Sequence, residues 1–218
     1  MSRYTGRVGP GGPPDVRELA HLIITKASVG PGDNNVYVLR CRRTGEELVV
    51  DAAAEPARIL ALCGEGPLVR VVTTHRHRDH WQALAAVVER TGAATVAHPD
   101  DAAEIEVATT EPVLDGHRVK VGAIMLKVIH LVGHTPGGIA LLYDDPTGSP
   151  HLWTGDSLFP GGPGRTTNTE EFIALMDGLE EKVFARLPDE TWVYPGHGAD
   201  TTLGTERPRL SEYRERGW

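Results

Sequence analysis

Cysteine is scarce in this chain. Its 218 residues include 2 cysteines, Cys41 and Cys63. They are too few and too far apart for a disulfide scaffold or a cysteine-rich zinc site, and they fit buried thiols in a reducing compartment. Basic residues are also in deficit: 22 Lys and Arg face 30 Asp and Glu, a formal net charge of -8. Phosphate recognition needs a basic face, so this balance argues against a nucleic-acid partner. Long apolar runs are missing too. None approaches the roughly 18 residues of a membrane span, so no membrane partner is expected. The first residues, MSRYTGRVGPGGPPD, lack the apolar segment of a secretory signal. The expectation is a cytoplasmic protein. Hydrophobic residues make up 40% of the chain, enough to build a real core.

Glycine and proline dominate residues 6–14, so residues 1–18 read as a flexible tail and 19–218 as one domain. β-Rich segments follow: Leu22–Thr25, Val36–Arg40 and Leu48–Asp51 form an antiparallel meander separated by turn residues. Pro56–Leu62 reads as a helix with proline in its first turn. Leu68–Thr74 reads as a buried strand, the stretch from Trp81 as a helix closed by Gly92, and Thr95–Ala97 as a short strand. A second β-rich half holds Val113–Leu114, Arg118–Val121, Ile124–His130, Ile139–Tyr143 and His151–Thr154. Residues 169–187 form the clearest helix. Asn168 or Thr169 can cap it, Phe172, Leu175, Met176, Leu179, Val183 and Leu187 make its apolar face, and Pro188 ends it. Thr191–Tyr194 is a last strand, and PRLSEYRERGW a charged terminal helix. Strands in two batches, each followed by a helix, predict an α/β fold with two sheets stacked face to face and helices outside.

The densest chemistry lies in residues 73–81, TTHRHRDHW. His75, His77, Asp79 and His80 fall within six positions, at the end of a strand and the start of a helix. Protonated, such histidines repel one another; neutral and buried, each needs a partner. A metal ion resolves both problems, because imidazole and carboxylate suit zinc, iron or manganese. Three more metal-type side chains follow glycines at strand ends: His134, Asp156 and His197. Glycine there permits close backbone approach and positive φ.

Together, His-x-His-x-Asp-His, Gly-His-Thr-Pro-Gly, Gly-Asp and Pro-Gly-His-Gly resemble the metallo-β-lactamase superfamily. Within it they look most like the glyoxalase II (hydroxyacylglutathione hydrolase) group. The resemblance runs from about Leu22 to His197. It implies an αββα sandwich and two divalent metal ions, zinc first, with iron or manganese as alternatives. His75, His77 and His134 would hold one ion, and Asp79, His80 and His197 the other. Asp156 would bridge them with a water or hydroxide. Asp79 and Asp156 are thus the carboxylates assigned to the chemistry. The implied activity is hydrolysis of a small-molecule thioester or related acyl ester by the bridging hydroxide. An aspartate at position 156 is not the pattern of members that cut β-lactams.

Asp51 resembles a family aspartate that orients a metal loop from behind. His21, His98, His117, His130 and His151 match no ligand position and are assigned to surface or core. Only a short stretch follows His197, so a short form is expected, without the helical glutathione-binding domain of the longer glyoxalase II enzymes. Arg165, in the segment after Asp156, is a candidate for gripping a substrate carboxylate. Two other activities of the same fold fit the residues. One is a mononuclear-iron persulfide dioxygenase, using His75, His134 and Asp156. The other is a lactonase or similar hydrolase.

Overall fold

A computed structural model describes residues 4–217. Strands β1 (Asp15–Glu18), β2 (Leu22–Val29), β3 (Asn34–Cys41), β4 (Glu47–Val50), β5 (Leu68–Val72), β6 (Ala94–Ala97) and β7 (Glu111–Pro112) lie side by side in that order as the first sheet. The first four run antiparallel, as the meander predicts; β4 to β7 are parallel. The second sheet follows from β8 (Arg118–Val121), β9 (Ile124–His130), β10 (Ile139–Tyr143) and β11 (His151–Gly155). A small hairpin, β12 (Leu158–Phe159) with β13 (Gly162–Pro163), stands apart. Strands β14 (Trp192–Pro195) and β15 (Thr201–Thr202) then complete the second sheet in the order β15-β14-β11-β10-β9-β8.

The two sheets pack face to face because their strands alternate. Leu22, Ile24, Leu39, Leu48 and Val72 from one sheet meet Val119, Leu126, Val128, Leu141 and Trp153 from the other in a single buried cluster. Val38, Val49 and Val71 point the opposite way and are covered by Ile59 of α1 (Pro56–Leu62) and by Leu84 and Val87 of α2 (Leu84–Thr91). A four-residue helix, α3 (Pro99–Ala102), precedes the second sheet. That sheet's outer face, with Ile129, Ala140, Leu152 and Val193, is covered by Leu175 of α4 (Thr169–Gly178). The result is the expected α/β sandwich. Each such side chain taken from water contributes about 1.5–3 kcal/mol, and three separate clusters distribute that gain over all four layers.

Local signals set the helix ends. Pro56 opens α1, and Gly92 closes α2 at φ 70° with its N–H on the Val88 carbonyl. The Asn168 side chain accepts from Glu171 N at the start of α4. The helix expected over 169–187 changes character at Leu179–Phe184, where Ala185 N reaches the Glu180 carbonyl in a widened π turn. That turn keeps Leu179, Val183 and Phe184 on the buried face. The chain ends in α5 (Leu203–Glu206), a 3-10 turn over Arg207–Arg209, and α6 (Leu210–Arg216).

Three expectations need correction. Residues 15–18 are not tail but β1, hydrogen-bonded along β2 from Asp15↔Lys26 to Glu18↔Ile23. The glycine- and proline-rich stretch before it is anchored as well: Lys26 Nζ donates to the Gly6 carbonyl at 2.9 Å, and Arg58 to the Gly12 carbonyl at 2.6 Å. Val113–Leu114 lies just beyond β7 rather than in it. The first three tail residues and Trp218 of the expected terminal helix lie outside the described residues. Among the described residues no helix is long and apolar enough to cross a membrane.

Candidate metal centre

Four loops at one rim of the sandwich carry the candidate ligands. His75 and His77 follow β5, and Asp79 and His80 sit in the 3-10 turn Arg78–His80. His134 lies between β9 and β10, Asp156 directly after β11, and His197 after β14. The structure brings all seven together. Ligand atoms of His75, His77 and His134 lie within 4.8 Å of one another, as do those of Asp79, His80 and His197, and those of His75, His80 and Asp156. Asp156 is central: its carboxylate oxygens stand 3.5 Å from Nε2 of His80, of His134 and of His197. Asp79 Oδ2 is 3.4 Å from His197 Nε2.

The ring nitrogens facing away from the cluster are tethered. His80 Nδ1 is 2.9 Å from Asp51 Oδ2, and His75 Nδ1 is 3.1 Å from Thr74 Oγ1. His134 Nδ1 donates to the Arg165 carbonyl at 2.7 Å, and His197 Nδ1 to the Gly32 carbonyl at 2.9 Å. Each Nε2 is therefore aimed inward. Inside, His75 Nε2, His134 Nε2 and Asp156 Oδ1 are buried with no hydrogen-bond partner. Leaving three polar atoms so placed costs several kcal/mol unless something charged satisfies them. The donor set is imidazole and carboxylate, with outer hydrogen bonds that fix each ring, and this fits one or two zinc-class ions.

Electrostatics agree. Burial, then the neighbouring His80, hold His75 well below the usual imidazole range; burial and His134 lower His77. Both rings are thus neutral, as ligation requires. Burial would lower His80 too, but Asp156 and Asp51 outweigh it and push it up to about 10. Burial works against the Asp156 carboxylate, yet His80 and His197 hold it well below the usual range.

Asp51 sits where the sequence suggests. At φ 57° it pays for a left-handed backbone, and its carboxylate accepts from Thr74 N and Thr74 Oγ1, both at 2.8 Å, beside His80. Glycine at 196 supplies room: a Cβ there would stand 2.2 Å from Asp156 Oδ1 and 2.7 Å from the His80 ring. Arg165 is exposed and lines a cavity of about 370 Å³ with His77, His134, Thr166 and Thr167.

Two functional side chains escaped the sequence reading. Asn34 donates to the Asp79 carbonyl at 3.0 Å and to Asp79 Oδ2 at 2.9 Å. Asp101, fully buried, accepts from Arg76 N, Thr135 Oγ1 and Gly137 N at 2.6–2.9 Å, so it clamps the His75–His77 loop to the His134 loop. The Asn34-Asn35 pair between a turn and a β-branched run was the available signal for the first. Asp101 gave none.

Residues 29–197 match the model of the metallo-beta-lactamase superfamily. The chain belongs to that superfamily. A hydroxyacylglutathione hydrolase of Polaromonas sp. is 36% identical over 179 residues, 81% of this chain and 66% of that protein. The chain thus spans just under two thirds of that relative's length. Two solved structures are similar throughout. ETHE1 from Myxococcus xanthus superposes with a TM-score of 0.76 at 29% identity, covering 89% of this chain and 88% of that one. TTHA1623, described as a di-iron-bound form, gives 0.68 at 32% identity, covering 83% and 95%.

Proposed function

We propose that this member of the superfamily is a binuclear metallohydrolase that cleaves a small-molecule thioester or a related acyl ester. His75, His77 and His134 would hold one divalent ion, and Asp79, His80 and His197 the other, with Asp156 between them. Zinc suits this donor set, as do iron and manganese. Bound divalent ions supply Lewis acidity and lower the pKa of water to about 7. The chain's own part is orientation. Asp51, Thr74, Gly32 and the Arg165 carbonyl fix the rings, Asn34 fixes Asp79, and Asp101 ties two ligand loops together. Arg165, which lines a cavity with His77 and His134, would be the group that receives a substrate carboxylate.

The observation that carries this reading is the convergence of all seven side chains, with the outer nitrogens of His75, His80, His134 and His197 tethered and three inner atoms orphaned. The hydroxyacylglutathione hydrolase relatives support the thioester class. No protein nucleophile competes. Burial, then Glu47, push the Cys63 thiol up to about 12, and Cys41 lines a cavity with Met125 and Tyr143, residues apart from the ligand loops. Ser157 follows Asp156 in sequence, and the motif histidines that could serve it as a base are those assigned to metal.

Activity on a thioester panel should vanish with a chelator and return with zinc, manganese or iron. Serine- and cysteine-directed reagents should leave it intact. An acyl group trapped on Ser157, Cys41 or Cys63, or turnover in metal-free protein, would contradict the reading. The likeness to ETHE1 favours a second reading, the mononuclear persulfide dioxygenase built on His75, His134 and Asp156. It leaves the equally well-built cluster of Asp79, His80 and His197 without a role. Oxygen consumption on a persulfide, with a single iron per chain, would establish it instead.

A further inference from the structure

We infer a second cation site, built from His98, Asp100 and His130, that takes a zinc-class divalent ion outside the seven-residue centre. One ligand atom from each of the three lies within 4.8 Å of the other two. His98 caps α3 at the end of β6, and His130 ends β9. The sequence assigns both histidines to surface or core; the fold brings them together from opposite sheets.

Their hydrogen bonds leave the right atoms available. His130 Nε2 is 2.8 Å from the Pro136 carbonyl, which can only accept, so Nε2 carries the proton and Nδ1 keeps its lone pair. A ligating histidine is usually fixed in this way, with its other nitrogen on a carbonyl. His98 is almost fully buried. Burial, then the adjacent His130, lower its pKa and keep it neutral. Its Nδ1 is 3.6 Å from Asp100 Oδ2 and accepts a long bond of 3.2 Å from Asp100 N, the one contact an ion would replace. Asp100 is exposed, so the position opens to solvent.

The surrounding charge suits a cation. Asp101 lies beneath, and Asp115 accepts from His130 N at 2.7 Å. Two cations are near: Lys182 bonds the His130 carbonyl and stands 3.5 Å from the Asp115 carboxylate that offsets it, and Arg76 stands 3.9 Å from Asp101 and 4.0 Å from Glu104. Two imidazoles and a carboxylate are a zinc-type donor set, with water completing the shell.

Ring geometry sets the strength. His98 and His130 stack with centroids 3.9 Å apart at 19°, so their in-plane lone pairs run side by side. His75 and His77 stand at 87° and converge. Capture at the new site therefore needs a tilt of the more exposed ring, His130, and binding is weaker than at the main centre. An ion here would join the end of β9 to the start of α3. Those segments flank Asp101 and Pro136, which hold the His134 loop, so occupancy would stiffen that loop.

The test is equilibrium dialysis of the metal-loaded protein against zinc, read by elemental analysis. It does not depend on the proposed activity. Wild type should take up one zinc per chain beyond its resident metal. His130→Phe keeps a stacked ring but removes the donor nitrogen, and Asp100→Asn alters only an exposed carboxylate. Each should bind that extra ion at least about 10-fold more weakly, since even outer partners of ligands are worth 10–100-fold. His117→Gln should match wild type, because His117 lies outside the cluster. Equal uptake by wild type and both ligand variants would overturn the site.

Discussion

His80 shows most clearly what the site asks of a single residue. Without metal, its ring is protonated at neutral pH, because Asp156 and Asp51 outweigh burial and raise it from 6.5 to about 10. That proton stabilises the fold below the ordinary imidazole value, and the contribution is lost as pH rises through about 10. Metal uptake must displace it. Thermal unfolding of chelated protein should therefore lose stability from pH 6.5 upward, and metal binding should release protons in unbuffered solution. A flat profile with no proton release would contradict this. Asp51→Ala should weaken the ion held by His80 by about 10–100-fold while the fold persists, measurable by metal titration. Asp101→Ala leaves Arg76 N, Gly137 N and Thr135 Oγ1 without their acceptor, a cost on the order of 3 kcal/mol in denaturant unfolding. The histidines that converge at the rim were legible because their spacing and, for His134 and His197, their glycine flanks are unusual in a chain. Asp101 and Asn34 were not, since a lone Asp or Asn acquires its role only when distant loops meet.

At the scale of elements, the His197 loop depends on the β2–β3 hairpin. Lys26 Nζ, wholly buried, bonds the Gly198 carbonyl and Asp200 Oδ1, both at 2.6 Å, while Asn35 Nδ2 and Tyr37 Oη bond the Pro195 carbonyl. Breaking one side of such a pair costs about 3–5 kcal/mol, because the other charge stays buried. Lys26→Met should lose stability on that order and also lose metal at the Asp79–His80–His197 cluster before the other. Metal loss shared equally between the clusters would contradict that coupling. Gly196→Ala should abolish occupancy outright, since its Cβ would occupy the space of Asp156 Oδ1. The long strands and α1 were readable from period and proline. The two-residue strands β7, β12, β13 and β15 were not, because two residues carry no period. The π turn within the helix expected over 169–187 was hidden as well, since its apolar residues still serve the same face.

Across the whole molecule, the sandwich is a frame that brings seven side chains from four loops to one rim. Alternation in the strands announced the two sheets, and the order of motifs announced the rim. What the sequence could not show is how the tail belongs to the frame: Lys26 and Arg58 pin it through backbone carbonyls, which no residue pattern reveals. In the proposed centre Asp156 serves both metal subsites. The most direct measurement is elemental analysis of wild type and Asp156→Ala, purified without chelator, alongside thioester hydrolysis. Wild type should carry about two divalent ions per chain, and the variant should lose both ions and activity. Full occupancy of both subsites in Asp156→Ala, or a single iron with oxygen uptake in wild type, would contradict that role.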